Sequence, residues 1–255
     1  MKNVFSEKVV IITGGASGIG RAIALQLAGP RVTIVIIDRD EAKGGEIARM
    51  LAEAGCAAQF LCSDMHNKYE AARAFREIEQ QYDVIDYVIN SAGEFMGGEM
   101  RDTPAEDARK VINNSIMSII YGSQFAYNIM LCQKHGHIVN LGSAAGLMPI
   151  PGMGIYGATK YAVGGYTHAL RNEARSLGVK VSLVCPTIVD TPLYDTATYT
   201  RIDKKLVLER RKKFQRVDDT AAKIITGIRK NKATIHTSYT AEGISLVYRI
   251  GTATV

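Results

Sequence analysis

Hydrophobic and polar positions alternate along the chain in a regular order. Short, continuously apolar runs are each followed by a longer segment in which apolar residues recur every three or four positions. The first pattern is typical of strands buried on both faces of a parallel sheet, and the second is typical of amphipathic helices. The pattern predicts strands at 8–13, 32–37, 57–62, 86–90, 137–141, 180–185 and 233–236. It predicts helices at 18–28, 40–54, 67–81, 105–133, 156–177 and 218–230.

The order of these elements predicts the fold class. Strands that alternate with helices imply right-handed crossovers between parallel strands. We therefore expect an α/β fold, a doubly wound parallel sheet of the Rossmann type with helices on both faces. No linker, repeat or low-complexity tract interrupts the pattern, so we predict a single domain over residues 1–255.

The composition excludes several classes of protein. The chain has 255 residues, of which 47% are hydrophobic and 22% charged, as in soluble globular proteins. No apolar run approaches the roughly 18 residues of a membrane span, and the N-terminus lacks the apolar centre of a signal peptide. The cysteines are widely spaced, with no CxxC and no histidine cluster: Cys56, Cys62, Cys132 and Cys185. We expect reduced thiols in a cytoplasmic protein that has no metal site and no membrane contact.

The net charge of +6 is concentrated in one segment. Residues 201–216, RIDKKLVLERRKKFQR, hold eight basic and two acidic side chains. Basic runs occur at nucleic-acid and membrane contacts, but they also occur on solvated amphipathic helices. The second interpretation places Leu206, Val207 and Phe214 inward. Because no aromatic stacking platform or recognition motif accompanies the run, we expect no nucleic-acid partner.

A glycine-rich turn, TGGASGIG (13–20), lies between the first predicted strand and the first predicted helix. Glycines let the backbone approach a bound pyrophosphate, and the helix N-terminus adds free N–H groups and the positive end of a dipole. Ordinary turns also have this composition. Here the flanking strand and helix, and an acidic residue 18 positions beyond Gly20, favour a dinucleotide site. The candidate contacts are Gly14, Ser17, Gly18, Ile19 and Gly20.

The acidic residue is Asp38, at the end of the second predicted strand. A carboxylate at this position accepts hydrogen bonds from the ribose hydroxyls of adenosine and repels a 2′-phosphate. Arg39 follows it, and an arginine is able to receive that phosphate. Because the Asp38 charge lies closer, we predict NAD rather than NADP as the cofactor.

Two further strand ends carry candidate cofactor contacts. Ligands of open parallel sheets bind at the carboxyl ends of strands, although the same residue types also serve as plain turn residues. The candidates after the third and fourth strands are Asp64, Met65, Asn90, Ala92 and Gly93.

The segment GIYGATKYAVGGYTH (154–168) contains three tyrosines and one lysine. On a helix, residues four apart share a face, so Tyr156 and Lys160 are stacked, whereas Tyr161 points about 100° away from Lys160. The spacing alone also arises by chance. Ser143 follows the predicted strand 137–141 and brings a hydroxyl to the same edge of the sheet. Ser143, Tyr156 and Lys160 are therefore the candidate catalytic residues.

Together these motifs make the chain resemble the short-chain dehydrogenase/reductase family, in its compact one-domain class. The resemblance covers about residues 6–192 and rests on TGGASGIG, Asp38, Asp64, NSAG (90–93), NLGSAAG (140–146), YGATK (156–160) and CPTIVDT (185–191). It implies that Tyr156 is the general acid–base, that Ser143 polarises the substrate oxygen, and that Lys160 tunes the tyrosine and holds the nicotinamide ribose. The implied reaction is hydride transfer between NAD and a secondary alcohol or ketone.

A departure from the family pattern follows the sixth strand. The usual Pro-Gly is Pro186-Thr187 in this chain. The resemblance still implies nicotinamide contacts at Pro186, Val189 and Thr191.

The tyrosine needs help from its surroundings to act at neutral pH. A free phenol has a pKa near 10. A nearby ammonium and the positive nicotinamide favour the phenolate, so we expect Lys160 to lower the pKa of Tyr156 toward the working range.

The family also places an asparagine in the fourth helix, where a held water connects the catalytic lysine to solvent. An ungapped match anchored on Tyr121-Gly122 puts Ser115 at that position, with Asn114 about 100° away on the helix. A serine hydroxyl is able to bind the same water. We predict that Ser115 completes the relay; the alternative is a small packing residue.

The segments expected to border the substrate are apolar. They are Phe95-Met96, Leu147-Met148, Met153, Ile155 and Leu193, with Glu94 as the exception. They predict a small apolar alcohol or ketone as the substrate. The charged loop 190–213 is expected to be a mobile lid over the substrate, or alternatively a static surface helix.

Partners and rival functions complete the expectations. The resemblance implies a homodimer or larger homo-oligomer through helices 105–133 and 156–177. The C-terminal segment lacks the Asp-Gly-Gly that helps many relatives to form tetramers. The rival to an enzyme is an NAD-binding regulatory or scaffold protein, and the intact Ser143, Tyr156 and Lys160 argue against it.

Overall fold

The computed structural model describes residues 5–209, 213–238 and 243. Its main feature is a seven-stranded parallel sheet in the order β3-β2-β1-β4-β6-β7-β9. These strands are β1 (Lys8–Thr13), β2 (Val32–Asp38), β3 (Ala57–Cys62), β4 (Tyr87–Asn90), β6 (Gly136–Leu141), β7 (Val179–Cys185) and β9 (Thr234–His236). Two short strands, β5 (Met96–Gly98) and β8 (Thr198–Thr200), pair in parallel in a separate sheet.

The helices cover both faces of the large sheet. They are α1 (Gly18–Leu27), α2 (Glu41–Glu53), α3 (Lys68–Gln81), α4 (Ala105–Gln133), α5 (Gly154–Ala174), α6 (Lys204–Glu209) and α7 (Val217–Arg229). One core layer joins α1, α2 and α7 to the sheet and includes Val10 and Ile12 of β1. The other joins α3, α4 and α5 to the sheet and includes Ile11. Because alternate residues of a strand point to opposite faces, both faces of β1 are apolar, and the predicted doubly wound α/β fold is confirmed.

A buried network of polar side chains lies at the carboxyl edge of the sheet, at the end of β4. The amide of Asn90 donates to Oδ1 of Asn140 at 2.8 Å and to Oγ of Ser123 at 3.2 Å, and Asn140 donates to Thr167. Gly122 is required here, because a Cβ at this position would lie 2.1 Å from Oδ1 of Asn90. The network holds the ends of β4 and β6 in register with α4 and α5.

The predicted loop 190–213 contains regular structure as far as it is described. A single helical turn at 192–194 is followed by β8 and α6. In the basic segment, Val207 and Phe214 pack in an apolar cluster as expected. Residues 210–212, the side chain of Leu206 and most of the C-terminal segment to which the tetramer argument refers lie outside the described residues.

The described part of the chain contains neither a candidate membrane-spanning helix nor a candidate metal cluster. No helix there is long and apolar enough to cross a bilayer. No group of three or more metal-ligating side chains occurs there. The four cysteines are free thiols.

Candidate active site

A cleft of about 380 Å³ lies at the carboxyl ends of β1, β2, β3, β4, β6 and β7. Most of the residues predicted from the sequence line it: Gly14, Ser17, Gly18, Ile19, Asp38, Arg39, Asp64, Met65, Ala92, Gly93, Ser143, Tyr156, Lys160, Pro186, Val189 and Thr191. Gly20, Asn90 and Ser115 are buried beneath its wall. The fold therefore brings segments that are far apart in the sequence into one site.

The glycine-rich turn forms one wall of the cleft through close backbone packing. Gly14 has a φ of +64°, and a Cβ there would lie 2.7 Å from the backbone nitrogen of Ala92. A Cβ on Gly20 would lie 2.4 Å from the carbonyl oxygen of Gly14. Both glycines are thus needed to hold the turn against β4 and α1.

The N-terminus of α1 is open toward the cleft. Ser17 is the residue before the helix and makes no side-chain hydrogen bond to it, while Ser17, Gly18 and Ile19 line the cleft. Free N–H groups and the helix dipole favour an anion at this position. This wall fits the pyrophosphate of a dinucleotide.

Asp38 ends β2 at one end of the cleft. Its Oδ2 accepts from the backbone N–H of Ala16 at 3.1 Å, and its Oδ1 accepts from that of Asp40 at 3.1 Å. Each carboxylate oxygen has a further lone pair, so Asp38 is held rigidly and is still able to accept from the hydroxyls of a ribose. The neighbouring Arg39 points to Glu94, with Nη2 at 3.4 Å from Oε1.

The end of β3 contributes Asp64, Met65 and His66 to the cleft. The backbone N–H of Asp64 donates to the carboxylate of Glu70 at 2.8 Å, and its own carboxylate contacts Nδ1 of His66. Met65 is buried. This edge offers an apolar surface flanked by a fixed carboxylate.

Ser143, Tyr156 and Lys160 meet at the other end of the cleft. Ser143 follows β6, and its Oγ accepts from the N–H of Ala145 at 3.1 Å. Tyr156 lies in the first turn of α5, which begins two residues earlier than predicted, at Gly154. Nζ of Lys160, one turn further along, lies 5.6 Å from the centroid of the tyrosine ring and donates to the carbonyl of Leu141 at 3.2 Å.

Burial dominates the protonation of this pair. It raises the pKa of Tyr156 to about 12, while a hydrogen bond with Ser143 acts in the opposite direction. Burial also lowers the pKa of Lys160 to about 8. Without cofactor, desolvation of the phenolate thus sets the pKa of Tyr156. The expectation that Lys160 and the positive nicotinamide together lower it concerns the complex with cofactor and stays a prediction.

Ser115 and Asn114, which compete for one role, both contact Glu94. Oγ of Ser115 accepts from the backbone N–H of Glu94 at 3.2 Å and donates to its carbonyl at 3.3 Å. Nδ2 of Asn114 donates to the Glu94 carboxylate at 2.9 Å. A Cβ on Gly93 would lie 3.6 Å from Nζ of Lys160 and 4.0 Å from Oγ of Ser115, so the serine and the lysine lie close to the same glycine.

The segment after β7 closes the cleft. The carbonyl of Pro186 accepts from the N–H of Ala144 at 2.8 Å, next to Ser143. The side chain of Thr191 is buried, and a Cβ on Gly18 would lie 3.4 Å from it. Thr191 therefore faces the start of α1 and lines the cleft there.

An aromatic cluster borders the catalytic tyrosine. The ring centroid of Phe95 lies 4.8 Å from that of Tyr156 and 5.1 Å from that of Tyr194, both edge-to-face. Tyr194 continues to Phe214 at 5.2 Å. Of the apolar residues expected to border the substrate, Phe95 and Leu193 line the cleft. Met153 packs against the cluster without lining the cleft, and Leu147 packs in a different one. Sequence reasoning missed Tyr194; its position two residues after Thr-Pro was the available signal.

Tyr194, like Tyr156, is a buried tyrosine that lines the cleft. Burial, followed by the neighbouring phenols of Tyr156 and Tyr199, raises its pKa, and its hydroxyl bonds to the backbone of Val189. It stays a neutral phenol at physiological pH. The substrate end of the cleft thus combines aromatic walls with the hydroxyl groups of Ser143, Tyr156 and Tyr194.

Comparisons with known proteins agree with this geometry. The family model described as short chain dehydrogenase matches residues 8–201. An uncharacterized oxidoreductase of Staphylococcus epidermidis is 34% identical over 187 residues, which cover 73% of this chain and 80% of that protein. A 3beta-hydroxysteroid dehydrogenase of Mediterraneibacter gnavus is 32% identical over 196 residues, 76% of this chain and 70% of that protein.

Solved structures of short-chain dehydrogenases also resemble this chain. A short chain dehydrogenase/reductase from Burkholderia phymatum, in complex with NAD, has a TM-score of 0.87 and 28% identity, and the match covers 94% of this chain and 92% of the other. A short-chain dehydrogenase from Sphingobium yanoikuyae, in complex with NADPH, has a TM-score of 0.82 and 26% identity, with 97% and 95% covered. Relatives of this fold thus bind either dinucleotide.

Proposed function

The chain belongs to the short chain dehydrogenase family of oxidoreductases, and on that premise we propose that it interconverts a secondary alcohol and a ketone with NAD. The observation that carries the proposal is the convergence of Ser143, Tyr156 and Lys160 at one end of a cleft whose other end is Asp38. Bound there, the cofactor supplies hydride transfer. Every other part of the reaction falls to the chain's own residues.

Tyr156 handles the proton of the substrate hydroxyl. Its phenol accepts that proton during oxidation and returns it during reduction, and the Ser143 hydroxyl holds the substrate oxygen beside it. Lys160, with a pKa of about 8, is charged at neutral pH and favours the phenolate as the proton leaves. Tyr156 and Lys160 are buried and Ser143 is partly buried, and burial strengthens these electrostatic interactions.

NAD is the proposed cofactor because of the fixed carboxylate of Asp38. Its two backbone hydrogen bonds prevent it from turning away from the ribose, and a 2′-phosphate beside it meets a like charge. We expect Asp38→Ala to weaken NAD binding and to narrow the preference over NADP. Equal affinity of the unmodified protein for the two cofactors contradicts this part of the proposal.

The proposed substrate is a small, apolar alcohol or ketone. The cluster around Phe95, Tyr156 and Tyr194 offers apolar walls for such a substrate. The charged Glu94 and Lys160 line the same cleft. The relative named as a 3beta-hydroxysteroid dehydrogenase supports an alicyclic alcohol as a member of the test panel.

We further propose that the protein is a homodimer through α4 and α5, in a reducing compartment such as the cytoplasm. Ile112 of α4 and Tyr161 of α5 are exposed, as expected for surfaces that meet a second copy. The four free cysteines are consistent with reducing conditions. A homodimer mass by light scattering tests the first statement.

The test of function is a panel of secondary alcohols and ketones, followed by the absorbance of the reduced nicotinamide. We expect turnover that falls by about a thousandfold in Tyr156→Phe, because the acid–base hydroxyl is removed. Tyr69→Phe is the matched control, since it makes the same change at an exposed tyrosine outside the cleft residues and should keep full activity. Tight NAD binding without turnover on the whole panel favours the rival, a regulatory or scaffold protein.

A further inference from the structure

The main chain and the side chain of Glu94 are both hydrogen-bonded to α4. Its backbone N–H and carbonyl both bond to Oγ of Ser115, and its side chain accepts from Asn114 at 2.9 Å. Consecutive residues of α4 therefore fix the main chain and the side chain of Glu94. Only 22% of its side chain is exposed.

The fixed carboxylate holds Arg39 across the cleft. Nη2 of Arg39 lies 3.4 Å from Oε1 of Glu94. Arg39 follows β2 and Glu94 follows β4, and β1 lies between these strands in the sheet. The ion pair thus spans the end of β1, above the glycine-rich turn, and both residues line the cleft.

Arg39 is the cation adjacent to Asp38, where the 2′-phosphate of NADP would have to be accommodated. In this position an arginine binds phosphate through its planar fork of N–H donors. In this protein, part of that fork is directed to Glu94 instead. Lys43, a further cation at this end, is also paired with a carboxylate, that of Asp40.

We propose that Glu94 is a specificity-determining residue that selects against the 2′-phosphate of NADP by retaining Arg39 and by adding a second negative charge to the cleft. The proposal rests on the proposed dinucleotide function. Asp38 repels the phosphate directly, whereas Glu94 acts mainly by withholding the arginine that would otherwise neutralise it. NAD has no phosphate at that position and does not compete for Arg39.

The size of the effect follows from the exposure of the arginine. Because 61% of the Arg39 side chain is exposed, the pair is screened by solvent and its contribution is modest. We expect Glu94→Gln to tighten NADP binding about threefold to tenfold, since a like charge is lost and a cation is released. NAD binding should change less than about twofold by the same argument.

The experiment is calorimetric titration of NAD and of NADP into the full chain, without substrate. The variants are Glu94→Gln, Arg39→Ala and the double variant. Glu99→Gln is the matched control: it makes the same change five residues later and breaks the pair of Glu99 with Arg101 at 2.8 Å, outside the cleft residues. The two affinities of Glu99→Gln should equal those of the unmodified protein.

The outcomes separate the two proposals. Selective tightening of NADP in Glu94→Gln, with most of that gain absent in the Arg39→Ala background, supports the role of Glu94. An equal change for both cofactors, no change, or the same gain without Arg39 overturns it. If neither dinucleotide binds the unmodified protein, the proposed oxidoreductase function itself fails.

Discussion

Nζ of Lys160 lies 5.6 Å from the ring centroid of Tyr156, and both side chains are more than nine-tenths buried. Burial moves their pKa values apart, raising that of the phenol to about 12 and lowering that of the ammonium to about 8. Each group is thereby biased toward its neutral form. Ionising either buried group therefore costs free energy, and this cost has testable consequences.

The direction of the reaction should set the sign of its pH dependence. Oxidation needs the deprotonated phenol, so its kcat/KM should rise with pH, while reduction needs the protonated phenol and should fall. Lys160→Met removes the cation that favours the phenolate, so the rise in oxidation should move to higher pH by about one unit. Profiles at saturating NAD, whose nicotinamide charge favours the phenolate, measure this between about pH 6 and about pH 10. An unchanged midpoint in the variant contradicts the role of the lysine.

The same substitution should stabilise the protein without cofactor. The pKa of Lys160 falls from 10.5 to about 8 on folding, which lowers the free energy of unfolding by about 3 kcal/mol at neutral pH. The variant avoids this cost but loses the hydrogen bond to Leu141, which is worth about 1 kcal/mol. We expect Lys160→Met to gain about 2 kcal/mol in urea unfolding at neutral pH.

The pH dependence of that gain identifies its origin. A depressed pKa penalises folding fully below the folded value, and the penalty disappears as pH rises from about 8 to the unfolded value of 10.5. The advantage of Lys160→Met should therefore shrink across this window. A gain that stays constant with pH indicates better packing instead.

Tyr194 should contribute its ring rather than its hydroxyl to substrate binding. Tyr194→Leu removes the edge-to-face contact with Phe95 at 5.1 Å and should raise the KM for an apolar substrate about tenfold. Tyr194→Phe keeps the ring and should stay within about twofold. Steady-state kinetics and NAD titration measure both variants. Equal damage in both shows that the hydroxyl matters instead.

Ser115 remains the predicted relay residue. Ser115→Ala should reduce turnover about tenfold while NAD affinity stays nearly intact, because proton exchange slows. Asn114→Ala, the neighbouring control, should change turnover little. Greater loss of turnover in Asn114→Ala means that the asparagine holds the water of the relay.

Most of the architecture could be predicted because buried parallel strands are continuously apolar. The runs at 8–13 and 57–62 coincide with β1 and β3, and the other strands of the large sheet begin or end within one residue of the prediction. The helices match within two residues, except that α5 ends at Ala174, three residues early. Periodicity carries this information locally.

The parts that could not be predicted depend on contacts between distant segments. β5 and β8 have three residues each, too few for a period, and they exist because they pair with each other. The pairing of Arg39 with Glu94 likewise joins residues 55 positions apart. Burial raises the pKa of Tyr156, and the depth of that burial is likewise set by packing between distant segments.

The pairing of β5 with β8 has a consequence for redesign of the enzyme. Met96, Gly97 and Gly98 match Thr198, Tyr199 and Thr200 in register, and a Cβ on Gly98 would lie 2.9 Å from the side chain of Thr200. The segment that contains β8 is therefore one half of a paired unit whose other half, β5, follows β4. A segment transplanted from a relative in place of β8 must therefore be accompanied by that relative's β5. Without it, the transplanted strand has no matching strand to pair with.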